Sequence, residues 1–137
     1  MANLRPNLDK AIFDTLNVAS LTALATGGVF NSFAHPSVST PYVVFQAFSK
    51  VDEYWAFTKR GAQAVYMVKA VSESPWPKEA AAIDTQIDAL LQDATLTITG
   101  FGLVTCRRES DFYLPEEVGG KVYQHQGGLY RVVADQS

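Results

Sequence analysis

The chain has 137 residues and a mass of 15.0 kDa, which is close to the size of one domain spanning residues 1–137. Apolar residues make up 47% and charged residues 18%, which excludes a disordered chain and lies below the usual charged share of about a quarter. The net charge of −3 excludes the basic footprint of a sequence-reading nucleic-acid-binding domain. The low charged share indicates a surface partly covered by neutral side chains or by other chains.

Charged residues interrupt the apolar residues near the N-terminus. Asp9, Lys10 and Asp14 therefore argue against a signal peptide. No run approaches the roughly 20 apolar residues that cross a bilayer. We expect a protein that is assembled in a cytoplasm and has no membrane partner.

The N-terminal third is predicted to be helical and then extended. Apolar residues in 7–17 recur every four positions and indicate a helix. Asn17, or alternatively Ser20, suits the N-cap of a second short helix, which Gly27-Gly28 ends, so we predict two short helices or one kinked helix. Val29-Phe30 then predicts a brief strand, and residues 31–41 predict a loop.

Three strands are predicted in the middle of the chain. Residues 41–48, 54–59 and 63–71 are rich in β-branched and aromatic residues, and Arg60-Gly61 marks a turn between the last two. Apolar side chains lie on both faces of 63–71, so this strand is expected to be central and covered on both sides.

The last part begins with the best amphipathic helix of the chain, over 78–93. It is followed by predicted strands at 95–99, 103–108 and 111–114, a loop at 115–120, and strands at 121–126 and 129–134 joined by Gly127-Gly128. Strand runs separated by one helix predict an α+β fold. Its sheet is mainly antiparallel, with a short N-terminal helical pair and one long amphipathic helix packed on it.

Residue types that carry catalysis or bind metals do not converge in the sequence. His35 and His125 lack the paired ligand spacing of a metal site. Cys106 is the single cysteine, so it forms no internal disulfide, and we interpret it as a buried apolar residue rather than a reactive thiol. Acidic residues at 109–117 indicate a solvated loop, and no phosphate-binding or nucleophile motif occurs. We therefore predict no catalytic residue, metal or cofactor.

Aromatic and basic residues offer candidates for a protein interface. Trp55 and Phe57 belong to the densest aromatic patch, which indicates either strand alternation or a protein contact. Trp76, between two prolines, is either a lid over the sheet or an exposed anchor. Arg107 and Arg108 favour a face of ion pairs that can cross a subunit boundary, over a stacking surface for single-stranded nucleic acid.

The order and spacing of these elements resemble the small tail-completion, or tail-terminator, proteins of long-tailed bacteriophages over most of the chain. The matching landmarks are the helical pair Ile12–Leu16 and Leu21–Ala25 before Gly28-Val29-Phe30, the segment Pro41–Phe45, the strand Tyr66–Val71, the helix Ala80–Leu91, and the hairpin Val122–Val133.

The resemblance implies a structural virion protein of the tail or neck, and not an enzyme. Such a protein forms a ring, commonly a hexamer, that caps the tail tube, stops its polymerisation and joins the tail to the head while DNA passes through the lumen. The implied partners are other copies of the chain, the tail tube protein and a head-completion or connector protein.

A mildly acidic chain suits a DNA conduit, because a cationic lumen would hold DNA electrostatically. Lumen candidates are Asp52 and Glu53 in one predicted loop, and Glu116 and Glu117 in another.

Two other interpretations remain open. A small α+β enzyme or ligand-binding domain would use a cleft near His35, Cys106 or Asp111. Another virion component of similar size, such as a head-completion adaptor or a minor tube protein, is not separated from a terminator by sequence.

Overall fold

The computed structural model describes residues 4–34, 38–55, 58–74, 76–94, 96 and 101–136. The elements in chain order are α1 Leu4–Leu16, α2 Ala19–Thr22, β1 Val29–Asn31, β2 Tyr42–Trp55, β3 Thr58–Ser72, α3 Lys78–Leu91, β4 Phe101–Val118 and β5 Lys121–Gln136. The predicted α+β class is confirmed. The third helix has 14 residues and is short rather than long.

The five strands form one sheet in the order β1-β2-β3-β5-β4. β1 runs parallel to β2, and the other three pairs are antiparallel. β3 is the central strand, as predicted, and its register places Tyr66 opposite Tyr130 of β5. Among the described residues, no helix is long and apolar enough to cross a membrane.

The three helices pack on one face of the sheet and form a single buried core with it. Helix positions that repeat every four residues supply one side of this core, and alternate strand positions supply the other. Buried members are Leu8, Ile12, Leu16, Leu21, Ile83, Ile87 and Leu91 from the helices, and Phe45, Tyr66, Val68, Cys106, Tyr130 and Val132 from the sheet. Each large side chain contributes roughly 1.5–3 kcal/mol by leaving water.

The turn predicted at Gly127-Gly128 is wrong, because both residues lie inside β5 opposite Val68 and Lys69. A Cβ at Gly127 would stand 1.9 Å from the Val68 carbonyl oxygen. The absence of a side chain therefore allows close approach of two strands rather than a reversal of the chain.

The real turn between β4 and β5 is Gly119-Gly120, whose φ angles are 58° and 82°. Both angles suit a two-residue hairpin turn. The loop predicted at 115–120 is therefore wrong, since Pro115–Val118 pairs with Lys121–Gln124 as the end of the β4–β5 ladder.

The β2–β3 hairpin also differs from its prediction. Gly61 lies inside β3, paired with Glu53 and Asp135, so the turn predicted at Arg60-Gly61 is wrong. The hairpin pairs Trp55 of β2 with Thr58 of β3 instead. The predicted strand 63–71 lies within β3, whereas the predicted strand 54–59 is divided between the end of β2 and the start of β3.

Smaller corrections concern capping and edges. α2 starts after Val18 without a side-chain cap, so the Asn17 cap is wrong. Of the predicted strand 95–99, only Leu96 lies within the described residues, and its amide donates to the Val104 carbonyl at 3.1 Å. The predicted break before Asp111 is a register shift between Arg108 and Ser110 in an otherwise continuous β4.

Candidate assembly surface

Arg108 is the centre of the most extensive polar network that the structure describes. Its guanidinium donates to both carboxylate oxygens of Asp84 in α3, at 2.8 and 3.0 Å, and to the Gly127 carbonyl oxygen at 2.7 Å. A further bond runs to Asp111 at 2.9 Å. The Arg108 side chain is 14% exposed and that of Asp84 is 10% exposed. This pair therefore holds α3 against the sheet.

Tyr130 extends the network towards the core. Its hydroxyl accepts from Arg108 at 3.1 Å and donates to Asp88 at 3.1 Å. Burial raises the pKa of Tyr130, and the hydrogen bond to Asp84 raises the pKa of Arg108. Both groups therefore keep their usual protonation state at neutral pH, as a structural cluster requires.

Of the residues proposed for an alternative active site, the structure describes Cys106 and Asp111, and neither is an available reactive group. Asp111 is an ion-pair partner of Arg108, and Cys106 is buried. Burial raises the pKa of the Cys106 thiol to about 12. His35 lies outside the described residues. In the part of the chain that the structure describes, no three His, Cys, Asp or Glu side chains form a metal-binding group.

An apolar groove opens where the start of α3 meets β4. We call it the Trp76 groove; it has a volume of about 580 Å³ and is lined by Trp76, Pro77, Lys78, Ala81, Tyr113 and Gln126. Trp76 is 74% exposed and Tyr113 is 62% exposed. Trp76 is thus an exposed side chain rather than a lid over the sheet. Exposed aromatic residues of this size are typical of interface anchors.

The β4–β5 hairpin extends beyond the rest of the sheet. The last pair of residues between β3 and β5 is Ser72 with Gln124. Within the sheet, residues 116–123 therefore form strand pairs only with each other. We call residues 116–123 the arm. Its apolar residues Val118 and Val122 are exposed. The arm therefore presents apolar surface that the described part of the chain does not cover.

A second cavity, of about 530 Å³, lies on the opposite face of the sheet between the arm and residues of the predicted 31–41 loop. His125 lines it with an 11% exposed side chain, 3.4 Å from a carboxylate oxygen of Glu116. Burial, and then the charge of Lys69, lower the pKa of His125. Across the cavity, Lys121 forms an ion pair with Glu73 at 3.4 Å.

The predicted interface and lumen residues fall in several places. Trp55 ends β2, and Phe57 lies outside the described residues. Arg107 is exposed and pairs with Asp93 at 3.3 Å. Asp52 and Glu53 lie in β2, and Glu116 and Glu117 lie in β4, so neither acidic pair occupies the predicted loop. Their roles in an interface or a lumen stay predictions.

Sequence reasoning missed the partners of Arg108 and the groove. Asp84 and Asp88 stand four residues apart on α3, a spacing that places both on one helix face. Nothing in the sequence connects that face to Arg108, which lies 24 residues after Asp84. The sequence likewise gives no sign that Tyr113 and Trp76 line the same groove.

Comparison with known proteins identifies the family of this chain. The model of a family described as tail completion protein gp17 matches residues 10–135. The chain belongs to this tail completion family. It is therefore a structural protein of a phage-type tail and a virion component.

Solved structures with the same fold have low sequence identity to the chain. A chain from a structure described as the virion of a native gene transfer agent particle has a TM-score of 0.79 and 16% identity, with 98% of this chain and 99% of that chain covered. A second solved structure has a TM-score of 0.55 and 15% identity, with 94% and 92% covered. No curated protein matched the sequence.

Proposed function

We propose that the chain acts as one domain that caps the phage tail tube as a ring, ends tube polymerisation and joins the tail to the head connector. The family match over residues 10–135 is the observation that carries this proposal. The ring consists of identical subunits, and six is the number that the family resemblance suggests. The work of such a protein is to bind neighbours, so its functional surface is a set of interfaces rather than a catalytic pocket.

The exposed surface supports this role. A closed ring of identical subunits needs two different patches on each subunit, because each copy contacts one neighbour through one patch and the other neighbour through the second. The Trp76 groove and the arm are two such patches, and both expose apolar side chains. Large exposed apolar side chains gathered in one place are typical of protein interfaces.

The excess of acidic residues in the chain suits a lumen through which DNA passes. The chain carries 14 acidic and 11 basic residues. Acidic residues around a channel repel the DNA phosphates and let DNA move through without being held. Asp52 and Glu53 of β2 are the residues that we assign to this surface; the other predicted lumen pair, Glu116 and Glu117, lies in the arm.

The test is deletion of the gene, followed by negative-stain electron microscopy of the particles. We expect tails of uncontrolled length, or tails that are not joined to heads. Complementation with the wild-type chain restores joined tails of uniform length. Normal, infectious particles in the deletion strain would contradict the proposal.

A label on the chain separates a terminator from a minor tube protein. Gold labels on a C-terminal tag should appear at a single position on each particle, at the head-proximal end of the tail. Labels repeated along the tail would instead identify a tube protein. Labels on heads that carry no tail would identify a head-completion adaptor.

A further inference from the structure

We infer that the tip of the arm of one copy docks into the Trp76 groove of the next copy. This inference deepens the proposed function, because it names the contact that closes the ring. It commits to a second copy of this chain as the occupant of the groove.

The shape and the apolar lining of the Trp76 groove suit a narrow apolar segment. Two aromatic walls, Trp76 and Tyr113, stand beside the small side chain of Ala81, and Pro77 adds a rigid apolar surface. Aromatic residues lose little conformational entropy on binding and dominate interface energetics when they become covered. A flat partner would leave the space between the two rings empty, so the occupant has to protrude.

The arm tip has the matching shape. Its turn residues Gly119 and Gly120 carry no side chain, and nothing lies within 4 Å of the position where a Cβ would stand on either. The tip is therefore narrow at the turn, and open space lies beside both glycines. Next to the glycines, Val118 is 56% exposed, and Val122 adds a further exposed apolar side chain.

Charges at the two surfaces are complementary. Lys78 lines the groove, whereas Glu117 precedes the turn of the arm; Lys121, which follows the turn, forms an ion pair with Glu73 of its own chain. Glu117 is exposed and lies four residues after Tyr113 on the same strand, so both side chains point to the same face of β4. Opposite charges at the rim of an interface favour the correct partner and orientation.

The arm cannot fill the groove of its own chain. Tyr113 forms a wall of the groove, and Val118 follows five residues later on the same extended strand, roughly 16 Å away at about 3.3 Å per residue. A contact between tip and groove must therefore join two copies. Because the two patches differ, the contact is head-to-tail, and repetition closes a ring or continues as a helix.

Disulfide trapping tests the contact directly. The variants Val118→Cys and Ala81→Cys are made separately and together; Cys106 stays in place because it is buried. Under oxidising conditions, on protein assembled in solution or on purified particles, the double variant should give a ladder of covalent oligomers. An equimolar mixture of the single variants should give covalent dimers, and each single variant alone should give almost none. Leu24→Cys with Ala81→Cys is the control, since Leu24 is exposed on the segment after α2.

Charge reversal gives a second, independent readout. Lys78→Glu and Glu117→Lys should each weaken self-association about threefold to fivefold, and the double variant should recover most of that loss. Trp76→Ala should weaken self-association at least tenfold while its far-ultraviolet circular dichroism stays unchanged.

These outcomes separate the inference from the proposed function. Rings of normal size with no Val118–Ala81 cross-link, or with equal cross-linking of the Leu24 control, would overturn the docking contact and leave the capping role intact. Normal particles in the deletion strain would overturn the capping role, whatever the cross-links show.

Discussion

Arg108 of β4 donates two parallel hydrogen bonds to the carboxylate of Asp84 in α3, at 2.8 and 3.0 Å. Such bidentate pairs are stronger and more directional than single charge-assisted bonds. The contact fixes α3 relative to the strand that carries Tyr113. Because Trp76 and Pro77 precede α3 directly, the same contact sets the width of the Trp76 groove.

Removal of Asp84 should therefore destabilise the protein strongly. Asp84→Ala leaves the largely buried Arg108 guanidinium without its main partner, and a broken buried pair costs about 3 kcal/mol or more. Urea unfolding followed by circular dichroism measures the free energy of unfolding. Asp14→Ala is the matched control, because its pair with Lys10 is exposed and should contribute less than about 0.5 kcal/mol. Equal losses in the two variants would contradict the structural role of Arg108.

The spacing of apolar residues predicted the helices and the central strand well, because apolar residues recur at the positions that form the buried face of a helix or strand. It could not predict which distant residues meet. Arg108 forms ion pairs, as the sequence predicts, but its main partner Asp84 lies on α3 and its largely buried side chain also contacts Tyr130. Partners that lie 24 and 22 residues away depend on packing rather than on any local pattern.

The glycine pairs show the same limit. Gly119-Gly120 and Gly127-Gly128 are equally good turn signals in sequence. The structure turns the chain at the first pair and uses the second for close contact between β5 and β3. Strand register against β3 decides between them, and register is a property of the whole sheet.

Alanine at these two pairs should therefore have different effects. Gly127→Ala places a Cβ against the Val68 backbone, so a strand must shift, and we expect a loss of about 3 kcal/mol or more in the free energy of unfolding. Gly120→Ala has open space and faces only the cost of a positive φ, about 1–2 kcal/mol. Thermal and urea unfolding of both variants gives the comparison. A larger loss for Gly120→Ala would mean that the register of β5 is wrong.

Cys106 should be unreactive in the folded protein. The thiol is buried and its pKa is raised to about 12 by burial, so almost no thiolate forms at pH 8. Ellman's reagent should therefore label Cys106 only after denaturation, at a rate at least a hundredfold slower in buffer than in about 6 M guanidinium chloride. Fast labelling of the folded protein would show that β4 opens readily. Val118→Cys serves as the positive control, since position 118 is exposed.

The His125 cavity predicts a specific dependence of stability on pH. The folded-state pKa of His125 is lowered by burial and by Lys69, against the opposing effect of Glu116; Glu73 and Lys121 are the other charged groups that line the cavity. The ordinary pKa of histidine is about 6.5. Below that pH, His125 becomes protonated in the unfolded chain while it stays neutral in the folded chain. Folding stability contributed by neutral His125 is therefore present above about pH 6.5 and is lost as the pH falls towards the folded-state pKa.

Urea unfolding of the wild type and of His125→Gln, from pH 7.5 to 5.0, isolates this effect, because the other titratable groups are common to both proteins. We expect the wild type to lose more stability than His125→Gln over this range; a wild type that gains stability relative to the variant in acid would mean that protonated His125 is held by Glu116 instead.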